Sequence, residues 1–289
     1  MGQDASGARL ALSATLGDLM TFDAVHPMDF VRDDRPIVGS LVWMAALGMD
    51  GVLVLDGSSR VVGGITPIEV IRAMDAGLQS LKKAFVRIRA ADVARPVPVL
   101  QVGEALDGAL RKLLESRSFI AVVCDRDRTV GQLTPGSLHR ALVEHPSARD
   151  FLSGIGAEAL ARGVRTLDHD CSIGEALRRI ARSEETLFLV GSGELVVTPA
   201  SLLRPLASPE AFSGFLEDPI SFLEEPLMRN RSALVRPPAI RRDASLHEAL
   251  RASIESGVCA VRVEGLGFLT AEALLFDLAR ELLSVSDRT

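Results

Sequence analysis

Gly64-Ile65-Thr66-Pro67-Ile68-Glu69 reads as an apolar strand end, a threonine, a proline and the opening of an apolar helix, and the chain writes this turn four times. The other versions are Gln132-Leu133-Thr134-Pro135-Gly136-Ser137, Val196-Val197-Thr198-Pro199-Ala200-Ser201 and Gly267-Phe268-Leu269-Thr270-Ala271-Glu272. Their threonines lie 64 to 72 residues apart, so the 289 residues divide into four copies of one unit. Length alone allows about two domains, and four such units pair naturally into two.

The same elements recur around each turn. In the first unit Ile37, Leu41, Met44 and Ala45 fall at i, i+4, i+7 and i+8, one face of a helix, with Pro36 in its first turn and Asp33 or Asp34 as cap. Ser172-Ile173-Gly174-Glu175 and Ser245-Leu246-His247-Glu248 are S-x-x-E capping boxes at the same place. The second unit keeps only the tail of that pattern, Val102 to Leu106. Short apolar strands are expected next, at Val52 to Leu55, Ile120 to Val123, Leu187 to Val190 and Cys259 to Val261. Tight turns follow (Asp56 to Arg60, Asp125 to Arg128, Gly191 to Glu194, Glu264-Gly265), then a second strand running into the threonine, which is a hairpin. A closing helix carries Val70, Ile71 and Met74 in the first unit and Leu274, Leu275 and Leu278 in the fourth. Each unit is thus β-α-β-β-α, and about 60 residues is too few to bury a sheet face alone. Units must pair, with a break expected near His145-Pro146-Ser147. The stretch Ser208 to Asn230, with Pro209, Pro219 and Pro226, should hold a helix or two of its own.

Composition narrows the function classes. The chain is 47% hydrophobic with no Tyr and one Trp, so its core is built from Leu, Val, Ile and Ala. A net charge of −6 argues against a nucleic-acid footprint or an anionic membrane surface. Cys124, Cys171 and Cys259 are too few and too far apart for a disulfide framework or a CxxC metal site. Met1 to Arg9 lacks a signal-peptide core, and the longest apolar run, Leu41 to Met49, stops at Asp50, short of the roughly 20 residues a span needs. A soluble, cytoplasmic protein is expected. His26, His139, His145, His169 and His247 show no paired metal spacing. His169 between Asp168 and Asp170 suggests a dyad, but a polar turn ahead of a capped helix explains it equally well. Lys82-Lys83 with Arg87 and Arg89 reads as a solvated basic face. No G-x-S-x-G, Walker or G-x-G-x-x-G motif is present, so no enzyme is expected.

Taken with the four turns, the run Asp-x-Ser-apolar-x-Glu-Ala-Leu at Asp170 to Leu177 and Asp243 to Leu250 resembles the CBS-domain family, and so does the opening Asp18-Leu19-Met20 with its echo Leu227-Met228. The resemblance covers approximately residues 13 to 283. It implies an α+β fold of four CBS repeats paired into two Bateman modules, residues 10–145 (repeats one and two) and 150–285 (repeats three and four). It further implies a regulatory, non-catalytic role with no required cofactor. The family's ligands are adenosine compounds (AMP, ADP, ATP, S-adenosylmethionine, cyclic dinucleotides), held in clefts between paired sheets. The partners implied are this adenosine-type small molecule, a second copy in a homodimer, and a regulated enzyme or transporter, with no nucleic acid and no membrane span.

In the family's signature, Gly-apolar-x-Thr/Ser-x-x-Asp/Asn, the hydroxyl reaches phosphate and the carboxylate holds the ribose diol. Here the hydroxyl positions are Thr66, Thr134, Thr198 and Thr270, and the ribose positions are Glu69, Ser137, Ser201 and Ala273. A helix N-terminus suits a phosphate, but Thr followed by Pro is also a good N-cap in its own right. Glu69 keeps a carboxylate for charge-assisted bonds, each serine offers a single neutral bond, and Ala273 none. Just before the first hairpin strand, where some four-repeat chains carry phosphate clamps, only Arg117 is basic, and Glu184-Glu185 would repel a polyphosphate. Arg32, Arg165, Arg236 and Arg241 flank the expected first strands. Two functions fit: an adenosine sensor whose best cleft belongs to repeat one (Thr66, Glu69), or a structural and interaction protein with degenerate clefts, acting as an oligomerisation or partner-binding scaffold.

Overall fold

Two apolar runs across a tight turn close into a hairpin, and a helix between a first strand and that hairpin gives the crossover that parallel pairing needs. The computed structural model, which describes residues 13–21, 25, 29–47, 49–78, 87–183, 185–191 and 194–287, contains four such sheets. Repeat one has β1 (Phe30–Arg32), β2 (Val52–Leu55) and β3 (Val61–Ile65), and repeat two has β4 (Val99–Gln101), β5 (Ala121–Asp125) and β6 (Arg128–Leu133). Repeat three has β7 (Thr166–Leu167), β8 (Phe188–Val190) and β9 (Val196–Val197), and repeat four has β10 (Ala239–Ile240), β11 (Val261–Val263) and β12 (Gly267–Leu269). In every sheet the first strand lies parallel to the second and the second antiparallel to the third. The fold is a mixed α and β one, with the expected β-α-β-β-α order in each repeat. His26, Lys82, Lys83, Glu184, Ser192 and Gly193, and the N-terminal Met1 to Arg9, lie outside the described residues.

The described residues fall into two compact units. One takes residues from 1–28, 97–163 and 237–289 and holds repeats two and four; the other takes 29–96 and 164–236 and holds repeats one and three. In the first, Leu106, Leu110 and Leu142 share a core with Leu246, Leu250 and Leu274. In the second, Ile37, Leu41 and Ile71 share a core with Ile173, Leu177 and Leu202. The expected modules, 10–145 and 150–285, each draw one repeat from each unit.

The segment leading into a repeat does not cap its own first helix. In the first unit the helix Leu16–Met20, closed by a Thr15/Asp18 capping box, places Leu16 N on Glu104 O at 2.9 Å, next to repeat two. The segment before repeat three seats on repeat four: Ala157 N meets Ala244 O at 2.8 Å and Leu246 N meets Ile155 O at 2.8 Å. In the second unit Ile88 O, ahead of repeat two, takes the Ile37 amide of repeat one at 2.9 Å. That backbone bond, rather than Asp33 or Asp34, satisfies the helix start; Asp34 faces Arg32 instead. Glu225 O, ahead of repeat four, takes the Ile173 amide of repeat three at 3.0 Å.

The same lead-ins add a bridge to the third strand of a sheet: Arg95 on Gly64, Val235 on Val196 and Arg162 on Phe268. Glycine is required where they pass. A Cβ on Gly63 would meet Arg95 O at 2.7 Å, and one on Gly267, whose φ is +132°, would meet Arg162 O at 2.3 Å.

Elsewhere the sequence pattern and the structure differ in several places, among them the following three. β11 starts at Val261, two residues later than expected, because Ala260 N bonds Val258 O at 2.7 Å and turns the chain there. Ser245 and Glu248 form the full capping box, but Glu175 turns away from Ser172 to Arg179 at 2.6 Å, leaving half a box. The closing helix of repeat four opens as a π-helix, Ala273–Asp277, before Leu278–Asp287. The stretch after repeat three forms two helices, Pro209–Glu217 and Pro219–Glu224, each with proline in its first turn behind a Ser208 or Asp218 cap. Among the described residues no helix is long and apolar enough to cross a membrane.

Candidate functional site

The four turns share one hydrogen-bond scheme. Each threonine ends a buried strand, and its carbonyl accepts the first intrahelical bond of the helix that follows, in the N-cap position. In repeat two, Ser137 N donates to Thr134 Oγ1 at 3.3 Å, while Ser137 Oγ accepts the Thr134 amide at 2.9 Å and donates to Thr134 O at 3.0 Å. Repeat three repeats this between Ser201 and Thr198, at 3.0 Å, 2.9 Å and 3.2 Å, and Ser201 Oγ also reaches Ala233 O at 2.8 Å. Both serines are sealed, with 0% and 1% of their surface exposed. Their single oxygens are spent on the backbone. In repeat four Thr270 Oγ1 accepts the Ala273 amide at 3.2 Å, and Ala273 offers nothing in return.

Repeat one differs in the number of oxygens available. Glu69 Oε2 accepts the Thr66 amide at 3.0 Å and the Thr66 hydroxyl proton. Glu69 Oε1 takes no part in that cap and lies 3.7 Å from Arg72 Nη1, one turn further along the helix Pro67–Leu78. The Glu69 side chain is 12% exposed and the Arg72 side chain 41%, and Arg72 Nε also donates to Ala181 O at 3.4 Å. A carboxylate oxygen in the first turn, where amides favour anions, therefore has an arginine one turn further along the same helix.

The arginines singled out by position are engaged elsewhere. Arg32 pairs with Asp34 at 3.6 Å, Arg165 with Glu185 at 2.9 Å, Arg236 with Glu194 at 3.7 Å and Arg241 with Asp243 at 3.5 Å, all largely exposed. Exposed pairs of this kind contribute about 0–1 kcal/mol. Arg117 adopts a left-handed conformation, φ +47°, that ends the helix Leu106–Ser116. A group not singled out in the sequence is the set Arg178, Arg179 and Arg182, which with Arg165 and Phe188 lines a pocket of about 300 Å³. Arg179 meets Glu175 and Asp168, and Arg182 meets Asp75 at 3.5 Å. Arg178 Nε donates to Gly174 O at 3.2 Å. Arginines in the last turn of Ile173–Ala181 also complement its carbonyl end, so the cluster has a structural cause without an anion.

Remaining candidates resolve into structure. Asp168, His169 and Asp170 form an exposed turn closed by Cys171 N on Asp168 O. Burial, with Glu175 nearby, pushes the Cys171 thiol up to about 11, away from the thiolate that reactivity requires. Among the described residues no group of three or more His, Cys, Asp or Glu gathers as metal ligands.

No protein-family model and no curated protein matches the sequence. Solved structures do match the fold. Protein MJ1225 from Methanocaldococcus jannaschii, proposed as an archaeal homologue of g-AMPK, is similar with a TM-score of 0.74 and 16% identity, over 90% of this chain and 99% of its own. An uncharacterised conserved protein from Pyrococcus horikoshii has a TM-score of 0.53 and 19% identity, over 91% of this chain and 98% of its own. CBSX2 in complex with AMP aligns at 23% identity and a TM-score of 0.37, over 45% of this chain and 96% of its own. The chain has the fold of four CBS repeats.

Proposed function

We propose that the chain is a regulatory, non-catalytic CBS-repeat protein that reads an adenosine-containing ligand through repeat one, its other three turns being structural caps. The observation that carries this reading is Glu69, whose Oε1 remains beyond the cap and faces Arg72 at 3.7 Å. A ribose diol needs an acceptor, and Glu69 Oε1 supplies a charged one. A phosphate needs donors, and Arg72 with the first amides of Pro67–Leu78 supplies them. Pairing of consecutive repeats into modules 10–145 and 150–285 belongs to the same proposal. It is supported by the lead-ins, since the segment before each repeat seats on that repeat's consecutive neighbour. A ligand that favours one arrangement of a pair shifts its population, and a regulated enzyme or transporter reads the shift.

A second reading, an interaction scaffold without nucleotide, is favoured by the sealed Ser137 and Ser201 and by Ala273. Thermal-shift titration with AMP, ADP, ATP and S-adenosylmethionine separates the two. A ligand at 100 times its Kd stabilises the folded protein by about 2.7 kcal/mol. The Glu69→Gln variant keeps an acceptor for the Thr66 amide but loses the charge, so its own midpoint should change little while the ligand-induced rise disappears. If no ligand moves the wild-type midpoint at millimolar concentration, or if the rise survives in Glu69→Gln, the sensor reading of repeat one fails.

A further inference from the structure

Six residues after the threonine, three of the four repeats carry an arginine: Arg72, Arg140 and Arg204. Only Arg72 stands between two acids one turn away on its own helix, Glu69 before it and Asp75 after it. Repeats two and three have Ser137 with Val143 and Ser201 with Ala207 at those places. The helix concerned, Pro67–Leu78, packs within one compact unit on Ile173–Ala181, the first helix of repeat three. Two polar contacts of opposite sense cross that seam. Arg72 Nε donates to Ala181 O at 3.4 Å, and Arg182 Nε meets Asp75 Oδ2 at 3.5 Å. Both reach the end of the repeat-three helix, whose carbonyls attract cations. There the Arg182 and Ser183 amides take Arg178 O and Ile180 O, and Ala181 O takes Arg72.

Packing of this kind does not require polar contacts. In the converse seam of the same unit the closing helix of repeat three, Pro199–Leu203, packs on Ile37–Leu47, which contains no charged residue. The polar ties belong to the side that holds Glu69.

We propose that Arg72 couples the turn of repeat one to the end of the repeat-three helix, so that whatever engages Glu69 or Arg72 is felt at Ala181. The distances make its guanidinium a shared one. Charged hydrogen bonds close at about 2.7–2.9 Å, and Arg179 approaches Glu175 to 2.6 Å. Arg72 instead stands 3.7 Å from Glu69 Oε1 and 3.4 Å from Ala181 O, between two acceptors and saturating neither. A stronger hold on one side therefore weakens the other. On the nucleotide reading of repeat one, a phosphate at the turn draws the guanidinium off Ala181 O and loosens the last turn of the repeat-three helix. Removing the Glu69 charge does the reverse and releases Arg72 to Ala181 O.

Hydrogen exchange of the Arg182 and Ser183 amides, read by NMR on the full chain, reports on that last turn. It is measured relative to the Leu53 amide in β2, which follows global stability. Without ligand, Glu69→Gln should slow the exchange and Arg72→Lys should speed it, each by about two- to tenfold, as one hydrogen bond allows. Opposite signs are the signature, because two substitutions that merely loosened the fold would both speed it. Unchanged exchange, or a change of the same sign in both variants, overturns the coupling whether or not a nucleotide binds. Adding AMP, ADP or ATP to the wild type then separates the coupling from the sensor reading on which its trigger rests. A raised midpoint with faster exchange at Arg182 and Ser183 supports both, and a raised midpoint with unchanged exchange overturns the coupling alone. If no nucleotide moves the midpoint, the sensor reading fails, and the two variants still decide the coupling.

Discussion

His139 should make the protein acid-sensitive in a defined window. It sits in the helix Pro135–Glu144 with 0% of its surface exposed, and its Nε2–H donates to Leu274 O at 3.0 Å, inside the π-helix of repeat four. Its Nδ1 is buried without a partner. Burial pushes the imidazole from 6.5 down to about 4, against the opposing pull of the Leu274 carbonyl. The unfolded chain therefore takes up this proton near pH 6.5 and the folded one only near pH 4, so between those values the unfolded state binds more protons. Stability is fully present above pH 6.5 and is lost as pH falls towards 4. At about 1.4 kcal/mol per unit, the loss reaches about 3 kcal/mol at pH 4 and then levels off. Urea unfolding at pH 7.5, 6, 5 and 4 would measure it, comparing wild type with His139→Gln. The glutamine amide can still donate to Leu274 O but does not titrate, and carboxylate contributions common to both proteins cancel in the comparison. The wild type should lose about 3 kcal/mol more than the variant between pH 7.5 and 4. Superimposable profiles would show that His139 is not held neutral, and the account of its burial would be wrong.

Gly267→Ala forces a side chain into φ +132° and against Arg162 O, and should cost about 3 kcal/mol by thermal or urea unfolding. Gly214→Ala, in the exposed helix Pro209–Glu217 with nothing near its Cβ, should instead gain about 0.5–1 kcal/mol in the same assay. Ser201→Ala strips the Thr198 amide and the Ala233 carbonyl of their shared hydroxyl and should cost about 1–3 kcal/mol. A nucleotide-induced midpoint shift should survive this substitution, because the Ser201 hydroxyl is committed to backbone groups of the cap and of Ala233.

Most of the fold is written in local pattern. Val52 to Leu55 and Val61 to Ile65 are apolar runs across a turn in which the Asp56 carboxylate takes the Ser58 hydroxyl and the Ser58 and Arg60 amides, so the hairpin of repeat one is readable without tertiary knowledge. The Ser245/Glu248 box is legible for the same reason, since both partners lie within one turn. What was not legible depends on competing partners, some of them distant. Glu175 leaves its box because Arg179 competes for it, and the Ala273–Asp277 π-helix carries a carbonyl bonded to His139 from another repeat. The joining of repeat one to repeat three, and of two to four, is equally hidden: all four repeats bring similar Leu and Ile faces, and no residue type marks which face meets which.

The candidate site shows the same limit in its sharpest form. A Thr turn that caps a helix and one that binds a phosphate use the same residue at the same spacing, so the four threonines alone do not discriminate. Oxygen count does. Each cap in repeats one to three draws on one oxygen of the residue three positions after the threonine to accept the threonine amide. Serine has only that oxygen, and at positions 137 and 201 it is buried with its proton directed at a backbone carbonyl. Glutamate has two, and its longer stem lets Oε2 reach the Thr66 amide while Oε1 stands towards Arg72. A turn that must both hold its helix and recognise a diol needs at least two acceptor atoms on that side chain. Repeat one is where this chain provides them.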